Sequence, residues 1–393
     1  MNLLREGGIP VPPFQVVSTP EEAKETANQW KRLVVLKALI PVGGRGKAGA
    51  IKTAATPEET LRQARELLGR TILNFPVDQL LVSEVVKIAR EFFVSVTFDS
   101  MKRKPVVLFS SLGGVDVETI LERGPERLVE SPIDISLGLQ PFQAREIAES
   151  AGLEGKVLME TAEVLTRLYG IFRKFDCQTV EINPLVLTDV GRLVAPTAVI
   201  VLDNQALFRH PELEGIADPD LTNGWRPLTS LEKEMRAIDK IDSGSAIRFN
   251  ELEGGDLAFM ITGGGAGFLA FDSIVKIGGK PATTFDITPG RVEEKMYLAT
   301  KAILSSKSGL KGLIAGGNIT NFIPIDIKVR GVMRALKELK IDPKKFPVVF
   351  RFAGPGVDVA KKLAAELPGI EFYDAATSLD EAVKRIVELT RPG

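Results

Sequence analysis

The sequence has few of the residues on which many protein chemistries depend. Among its 393 residues are one cysteine, Cys177, and one histidine, His210. A single cysteine excludes an internal disulfide, and a reducing compartment is then the default. The sequence also lacks a signal peptide and an apolar run near the roughly 18 residues of a membrane helix. We therefore expect a cytoplasmic protein with no membrane partner.

Charge of one sign is also missing. The chain has 50 Lys and Arg against 51 Asp and Glu, and its net charge is -1. Without a basic excess or a basic tract, nothing favours a nucleic-acid partner. His210 lies in a loop-rich stretch with no nucleophile or metal spacing around it, so we interpret it as non-catalytic. Hydrophobic residues make up 44% of the chain, which is enough for two or three domains of about 100–200 residues each.

Strands and helices alternate over residues 1–225. Runs of β-branched and aromatic residues predict strands at 32–37, 80–84, 92–98, 105–109 and 179–187, with one more at 193–202. Helical periodicity predicts a helix at 57–68 and two more within 141–175. Residues 204–235 are rich in loop signals, and we interpret 226–254 as a linker with a connecting helix. The first residues, 1–6, look like the tail of a helix that has lost its first turns.

A separate α/β pattern covers residues 255–393. Short apolar runs predict strands at 257–262, 281–285, 312–315, 347–351 and 370–373, each followed by a helix. Strands that alternate with helices predict a doubly wound, parallel sheet. Ligands bind at the carboxyl ends of the strands in such sheets. Two glycine turns, 263–267 and 316–317, are expected at that edge.

A glycine-rich basic segment, GGRGKAG at 43–49, follows the strand that ends at Lys37. Its glycines allow backbone N–H groups to approach phosphate oxygens, and Arg45 and Lys47 add positive charge. It lacks the final Ser or Thr of a Walker A motif and the spacing of a Rossmann fingerprint. The alternative is a solvated hairpin turn.

Carboxylates form two further candidate positions. Glu84 ends the strand at 80–84 and is followed by Glu91; a carboxylate there can accept hydrogen bonds from a ribose or an adenine, or simply belong to a surface charge cluster. In the segment EINPLV, Glu181 and Asn183 point to the same side of a strand, because side chains alternate with period two. A carboxylate and an amide oxygen side by side suit Mg²⁺. The alternative is a strand edge whose polar groups are already satisfied.

The α/β pattern near the C-terminus offers places for an anion. The segment GGNITNF at 316–322 lies between a strand and a helix that begins near Asp326. Helix N-termini offer free N–H groups and a positive dipole end, which bind carboxylates or phosphates. The turn 263–267 offers a second place, and Arg351 at the end of its strand can pair with a carboxylate. Ordinary α/β turn chemistry is the alternative.

Taken together and in this order, the motifs resemble those of the β subunit of succinyl-CoA synthetase and the matching parts of citryl-CoA synthetase and ATP citrate lyase. The resemblance covers nearly the whole chain. It rests on GGRGKAG (43–49), GGVD (113–116), EINPLV (181–186), ALFRHP (206–211), the turn 263–267 and Gly316-Gly317. It implies an ATP-grasp fold over 1–225 and a flavodoxin-like CoA-ligase domain over 255–393.

The resemblance also implies an activity, the ADP-forming ligation of a carboxylate to CoA. In this family ATP phosphorylates a histidine on a partner α subunit. The phosphohistidine then gives an acyl phosphate, which CoA attacks. The phosphorylated histidine and most of the CoA site would therefore belong to the partner, which agrees with an inert His210.

Roles for individual residues follow from the resemblance alone. The nucleotide would be bound by Lys37, Gly44, Arg45, Gly46, Lys47, Glu84 and Glu91, although Glu84 and Glu91 are one residue closer together than is usual in the family. Glu181 corresponds to a carboxylate near the phosphohistidine, and Asn183 to a magnesium ligand. The family's second magnesium ligand is an aspartate, and Thr197 stands in its place. Either another group such as Asp203 substitutes, or the nucleotide phosphates hold the metal. Thr197 also leaves open a non-catalytic, regulatory ATP-binding subunit.

The identity of the acid is indicated by the glycine turn at 263–267. Succinyl-CoA synthetases usually have Asn-Gly-Ala-Gly here, and the matching stretch of this chain is Gly264-Gly265-Ala266-Gly267, preceded by Gly263. The triple glycine resembles the citrate-using relatives. Replacing Asn by Gly gives room and bare N–H donors to a bulkier acid. Ile323 and Phe352 argue the other way, because the citrate-using enzymes carry Thr and Arg at these positions. The resemblance favours citrate over succinate, in a synthetase without a lyase module. The predicted acid-binding residues are Gly264, Gly265, Asn318, Asn321 and Arg351.

Overall fold

The chain folds into two units, Met1–Pro227 and Leu228–Gly393. The computed structural model describes residues 1–41, 44–213, 226–290 and 292–391. Residue 225, where we predicted the first domain to end, lies outside these ranges. Within them, no helix combines the length and the apolar character that crossing a membrane requires.

The first unit contains helices packed on antiparallel sheets. Its helices are α1 (Asn2–Glu6), α2 (Pro20–Trp30), α3 (Pro57–Leu67), α4 (Val117–Glu122), α5 (Pro141–Ser150) and α6 (Gly155–Lys174). Its strands are β1 (Phe14–Val17), β2 (Val34–Ala38), β3 (Ile51–Ala54), β4 (Thr71–Ile72), β5 (Phe75–Pro76), β6 (Leu80–Glu84), β7 (Ile88–Asp99), β8 (Lys104–Ser110), β9 (Val129–Pro132), β10 (Cys177–Thr188), β11 (Leu193–Val194) and β12 (Val199–Leu202).

A four-stranded antiparallel sheet, in the order β1-β6-β2-β3, packs against α2 and α3. Both helices begin with a threonine whose hydroxyl accepts a backbone N–H, followed by proline at the first helical position. Val34, Leu36 and Ala38 of β2 point into the core under these helices. Because side chains alternate along a strand, Lys37 points to the opposite face of the sheet.

The larger antiparallel sheet has the order β11-β10-β7-β8-β9, and β12 also pairs with β10. Its core is closed by α5 and α6. The strand predicted at 193–202 is interrupted, since β11 and β12 pair with β10 separately and 195–198 lie outside both ladders. Pro196 in this gap has no N–H to donate to a ladder.

The second unit is built around a parallel sheet. Its helices are α7 (Ser230–Asp239), α8 (Gly265–Lys276), α9 (Glu293–Ser306), α10 (Ile325–Glu338), α11 (Val357–Ala365) and α12 (Leu379–Thr390). Its strands are β13 (Ile247–Glu251), β14 (Leu257–Thr262), β15 (Thr283–Ile287), β16 (Gly312–Ile319), β17 (Val348–Ala353) and β18 (Glu371–Tyr373). The parallel sheet has the order β14-β16-β17-β18. Since α8 and α12 cover one face and α9, α10 and α11 the other, the predicted doubly wound sheet is confirmed.

Two elements of this unit differ from the prediction. Pro281, just before β15, forms a single parallel bridge with Leu257 of β14, but the ladder of β15 itself is antiparallel and joins it to β13. The segment 226–254, interpreted as a linker with a connecting helix, contains α7 and β13. Leu231, Met235 and Ile238 of α7 are buried in the core of the second unit. Their burial makes α7 part of this unit's packing.

Gly316 and Gly317 do not form the turn that we predicted, because β16 continues through Ile319. Both glycines lie where neighbouring strands leave no room for a side chain. A Cβ on Gly316 would lie 2.1 Å from the carbonyl oxygen of Arg351, and a Cβ on Gly317 would lie 2.6 Å from that of Thr262. Close packing of strands explains these two glycines better than the conformation of a turn does.

Candidate functional site

The basic loop after β2 folds back towards Lys37. The N–H of Ala50 donates to the carbonyl of Arg45 (2.9 Å), and the N–H of Ala38 donates to the carbonyl of Ala50 (2.9 Å). Gly44 takes the left-handed conformation (φ 71°) that favours glycine. Gly46 and Lys47 are exposed in this loop, while Gly43 lies outside the described residues. The loop is therefore an open turn beside the end of β2.

Lys37 is a buried cation on the face of the small sheet that α2 and α3 do not cover. Only 8% of the residue is exposed, and its Nζ donates to the carbonyl of Pro196 (2.9 Å). Burial, with a contribution from the charge of Arg45, lowers the pKa of Lys37 to about 8. Arg45 in turn donates to Oγ1 of Thr197 (3.1 Å). The gap between β11 and β12 thus brings Lys37 and Arg45 together.

Asn183 of β10 holds the GGVD turn at 113–116. Its Oδ1 accepts from the N–H of Gly114 (2.9 Å), and its Nδ2 donates to the carbonyl of Val115 (3.0 Å). The carboxylate of Glu91 lies against Gly114, since a Cβ there would be 2.6 Å from Glu91 Oε2. Asp116 links this turn to the basic loop, because its carboxylate accepts a hydrogen bond from Lys47 Nζ (2.5 Å). Residues far apart in sequence thus meet at one place.

Glu181 lies beside Asn183 in this cluster. Burial raises the pKa of its carboxyl, with smaller contributions from the charges of Glu118 and Asp116. A hydrogen bond with Asn183 and the charge of Arg45 oppose that rise. A partly buried carboxyl group with a perturbed pKa, close enough to Arg45 to interact with its charge, has the properties of a functional group.

Glu84 is not part of this cluster. In the ladder between β2 and β6, Lys37 pairs with Leu81, and Glu84 pairs with Val34 at the other end of β2. Glu84 lies three residues beyond Leu81, so it is about 10 Å away along the strand and points to the other face. Its carboxylate accepts from the exposed Arg32 (2.6 Å). The structure therefore separates Glu84 from the other predicted nucleotide-binding residues.

Ser83, and not Glu84, lies on the face of the small sheet that carries Lys37. It shares the face of Lys37, since it pairs with Val35 in the same ladder. Its hydroxyl is buried and has no hydrogen-bond partner among the described residues. Two signals in the sequence pointed to it: the alternation along 80–84 and the spacing between Glu84 and Glu91, which is one residue short.

The donors around Asn183 fit a magnesium ion that is held mainly by phosphates and water. Asn183 Oδ1 has one lone pair left after Gly114, and Glu181 lies beside it. No group of three or more His, Cys, Asp or Glu side chains within the described part of the chain could hold a metal alone. Mg²⁺ commonly binds to few protein ligands when it also binds phosphates.

Neither candidate for the second magnesium ligand lies ready beside Asn183. Thr197 already accepts from Arg45. Asp203 follows Leu202, which pairs with Cys177, whereas Glu181 pairs with Val199. Four residues along β10 place Asp203 at least about 13 Å from Glu181 along the strand. The structure therefore favours phosphates as the main metal ligands over substitution by Asp203.

In the second unit, the turn 263–267 joins β14 to α8. The N–H of Gly263 donates to Oδ1 of Asp286 (2.9 Å). Gly264 caps α8 with φ 53° and ψ -108°, a conformation that side chains disfavour, and Gly265 begins the helix. No atom lies within 4 Å of the positions that a Cβ would take on Gly264 or Gly265. The predicted turn is present, and the space above it is open.

Asn318 and Asn321 lie at the same edge of the sheet, and both are exposed. The Cβ of Asn318 is 3.8 Å from the position that a Cβ on Gly263 would take, so the end of β16 adjoins the turn. Neither amide side chain makes a hydrogen bond to another residue in the ranges that the structure covers. Both are available to a ligand at this edge.

Arg351 lies at the predicted edge of the sheet, but its guanidinium group is bonded to backbone carbonyls and is not free for a ligand. Its Nε donates to the carbonyl of Thr377 (3.1 Å), and its Nη1 donates to that of Gly317 (2.9 Å). Only 6% of the residue is exposed. Instead of presenting a guanidinium group to a substrate carboxylate, Arg351 ties β16 to the segment before α12. Its strand position was predictable, but the backbone carbonyls that surround it were not.

Comparisons with known proteins agree with this architecture. A family model for the ATP-grasp domain matches residues 1–187, and a model described as ATP citrate lyase citrate-binding matches residues 226–388. The β subunit of the GDP-forming succinate–CoA ligase of Thermus thermophilus is 39% identical over 99% of this chain and 96% of its own length. The β subunit of the ADP-forming succinate–CoA ligase of Persephonella marina is 36% identical over 97% of this chain and 95% of its own length.

A solved structure shares the fold. ATP citrate lyase from Methanothrix soehngenii, in complex with citrate and coenzyme A, has a TM-score of 0.77 to this chain at 22% identity. The alignment covers 95% of this chain and 92% of the other. The first unit therefore has the ATP-grasp fold and the second a flavodoxin-like fold, and this chain belongs to the family of succinate–CoA ligase β subunits, which are acid–thiol ligases.

Proposed function

We propose that this chain is the ATP-binding subunit of an ADP-forming ligase that joins citrate to CoA and yields citryl-CoA, ADP and phosphate. A partner α subunit carries the histidine that is phosphorylated and most of the CoA site. The acyl phosphate forms from that phosphohistidine, and CoA then attacks it. The isolated chain binds ATP and makes no acyl-CoA.

The observation that carries citrate is the turn Gly263-Gly264-Gly265, which has no side chains. Open space at Gly264 and Gly265 leaves room for an acid with three carboxylates. The amides of Asn318 and Asn321 are exposed at the adjoining strand end. The match of residues 226–388 to a citrate-binding family model supports the same acid.

The ATP site is supported by the cluster in the first unit. Lys37 and Arg45 supply fixed positive charge for phosphate oxygens, and the exposed Gly44 and Gly46 leave room for the backbone to approach them. Glu181 is placed to orient the imidazole of a partner histidine and to stabilise its charged form. A magnesium ion bound through Asn183 and the phosphates would neutralise charge on the transferred phosphoryl group.

The partner is supported by the surface beside the acid turn. Phe268 and Leu269, at the start of α8, are 72% and 71% exposed, and Phe322, after β16, is 85% exposed. Large exposed apolar side chains grouped at one edge are typical of protein–protein interfaces. An α subunit that docks there would bring its phosphohistidine to the acid.

Succinate is the second candidate. Arg351 is already bonded to backbone carbonyls and adds no free cation for a third carboxylate. Ile323, which stands where citrate-using relatives have threonine, is buried in the core. The relatives that match almost the whole chain are succinate–CoA ligase subunits.

The test is ADP release by the chain mixed with its cognate α subunit, ATP, Mg²⁺ and CoA, with citrate compared against succinate. We expect turnover with citrate. Turnover with succinate alone would replace citrate by the second candidate. If neither acid supports turnover and no phosphate reaches the α subunit, the chain is a non-catalytic ATP-binding subunit and the proposed function is wrong.

A further inference from the structure

Three lysines are buried in the described part of the chain: Lys37, Lys295 and Lys328. Lysine has three N–H donors, and burial is costly unless they are used. Lys295 uses all three, since it donates to Asp239 Oδ1 (3.0 Å) and to the carbonyls of Asp242 (2.6 Å) and Ser245 (2.5 Å). Its role is structural, because it ties the end of α7 to the loop that follows.

Lys328 is different, because its donors are largely unused. Its Nζ donates to Oγ1 of Thr262 (3.1 Å) and, within the described residues, to nothing else. It also forms no ion pair with a described carboxylate. Lys37 shows the same pattern, with the carbonyl of Pro196 as its acceptor. The two buried lysines with spare donors therefore lie one in each unit, at the predicted phosphate site and below the predicted acid turn.

The position of Lys328 is unfavourable for a cation. It lies in the first turn of α10, where the helix dipole disfavours positive charge. It is 5% exposed, and burial lowers the pKa of its ammonium group. An apolar residue here would pack into the core of the second unit at no such cost. The lysine therefore calls for an explanation beyond packing.

The surroundings of Lys328 supply that explanation. Thr262 is the last residue of β14, and its hydroxyl accepts from Lys328 while donating to the carbonyl of Gly316 (3.1 Å). Asp286 accepts from the N–H of Gly263 (2.9 Å) and so holds the turn with a carboxylate. That carboxylate would repel an anionic substrate on the turn. Lys328 and Asp286 are hydrogen-bonded to adjacent residues, Thr262 and Gly263, and the charge of Asp286 favours the ammonium form of Lys328.

We propose that Lys328 is a positioning residue for the acid substrate, whose ammonium group offsets the charge of Asp286 beneath the turn 263–267 and so permits a carboxylate to bind there. The inference rests on the proposed function and deepens it. The turn is held in shape by an acidic side chain, and the buried lysine keeps its electrostatic potential suitable for an anion. Lys328 acts through the turn and does not touch the acid.

The experiment compares the variants Lys328→Met, Lys328→Arg and Lys295→Met in the complex with the α subunit. For Lys328→Met we expect KM for the acid to rise about 10-fold, with kcat within about 2-fold and KM for ATP and CoA as in the parent, because one charge near the acid is lost. The melting temperature should not fall, since Met suits a buried site. Lys328→Arg, which keeps the charge, should recover most of the acid affinity. Lys295→Met should lower the melting temperature without a selective effect on KM for the acid.

A purely structural Lys328 would give the opposite pattern. The inference is overturned if Lys328→Met lowers the melting temperature and changes all three KM values alike, or if KM for the acid does not change. Loss of turnover with both acids in the parent protein would refute the proposed function instead. In that case, calorimetric titration of citrate and succinate into the chain decides the inference by itself. Equal affinity for parent and Lys328→Met, or no binding to the parent, would sink it.

Discussion

The two candidate sites are built in different ways. In the first unit, charged and amide side chains from distant segments meet: Lys37 from β2, Arg45 from the basic loop, Glu181 and Asn183 from β10. In the second unit, the candidate acid site is a backbone turn without side chains, and its charged groups, Asp286 and Lys328, act from beneath. The first candidate site offers side chains to a ligand, whereas the second offers mainly peptide groups.

The difference fits what each site is proposed to recognise. Phosphate groups carry concentrated charge, and a buried cation, as proposed for Lys37, binds them strongly because water screens the interaction less. A carboxylic acid must be distinguished by its shape, and an open turn sets the available room without adding side chains. Substitution of charged residues should therefore act most strongly on the first site. The second site should respond to changes in backbone or volume and, more weakly, to loss of the charge of Lys328 beneath the turn.

The largest effect is expected for Lys37→Met. Loss of a buried charge should reduce kcat/KM for ATP by about 1,000-fold, as removal of one well-placed donor can do. Phosphorylation of the α subunit with labelled ATP measures it. Lys47→Met is the comparison. Lys47 was also predicted to bind the nucleotide, but it is exposed and paired with Asp116, so its loss should cost much less. Equal losses for both variants would contradict a special role for the buried charge of Lys37.

The lowered pKa of Lys37 predicts that the affinity of the first site for ATP depends on pH. Since its folded value is lowered to about 8, the ammonium group loses its proton as pH rises through that value, and affinity for phosphate falls. KM for ATP should therefore rise between pH 7 and pH 9 in the parent and stay nearly constant in Lys37→Arg. In the chain without ATP, deprotonation of the buried ammonium group should slightly increase the free energy of unfolding as pH rises over the same range.

Glu181→Gln should have the next largest effect. It removes the carboxylate proposed to stabilise the partner's imidazole, so the rate of α-subunit phosphorylation should fall about 100-fold. KM for ATP should change little, because Lys37 and Arg45, and not Glu181, are proposed to bind the phosphates. The exposed Glu118 is the matched control, and Glu118→Gln should retain most of the rate. A rise in KM for ATP with no change in rate would exclude this role for Glu181.

Gly264→Asn tests the backbone-built site. An Asn side chain occupies the open space above the turn, so kcat/KM for citrate relative to succinate should fall about 10-fold. Gly278→Asn at the other end of α8 is the control, because Gly278 also has a positive φ of 85° and lies away from the turn. If both variants change the two acids equally, the effect is strain and the comparison between the sites loses its basis.

The smallest effect concerns a charged cluster that belongs to neither site. His210 contacts Asp176 (2.7 Å) and Glu212 (3.0 Å), and these hydrogen bonds raise the pKa of the imidazole. A raised folded pKa stabilises the protein below the unfolded value of about 6.5, and that stabilisation is lost as pH rises. His210→Gln should therefore lower the melting temperature more at pH 6 than at pH 8.5. Equal shifts at both values would show that the charge of His210 contributes nothing.

The sequence alone determined much of the local structure. The strands at 80–84 and 257–262 have the predicted ends, and α10 begins at Ile325, one residue from the predicted Asp326. Apolar periodicity and glycine positions depend on neighbours close in the chain, so they can be read without the fold. The order of the motifs was likewise enough to place the chain in its family.

Only the tertiary structure decided which groups meet. Pro196 interrupts the strand at 193–202 and there meets Lys37, Ser83 replaces Glu84 on the face of Lys37, and β15 pairs with β13 outside the parallel sheet. Arg351 is enclosed by carbonyls that come from two other segments. Lys328 had no signal in the sequence, because a lysine in an amphipathic helix looks solvated until packing buries it. Contacts between distant segments depend on how sheets and helices pack, and no local pattern records them.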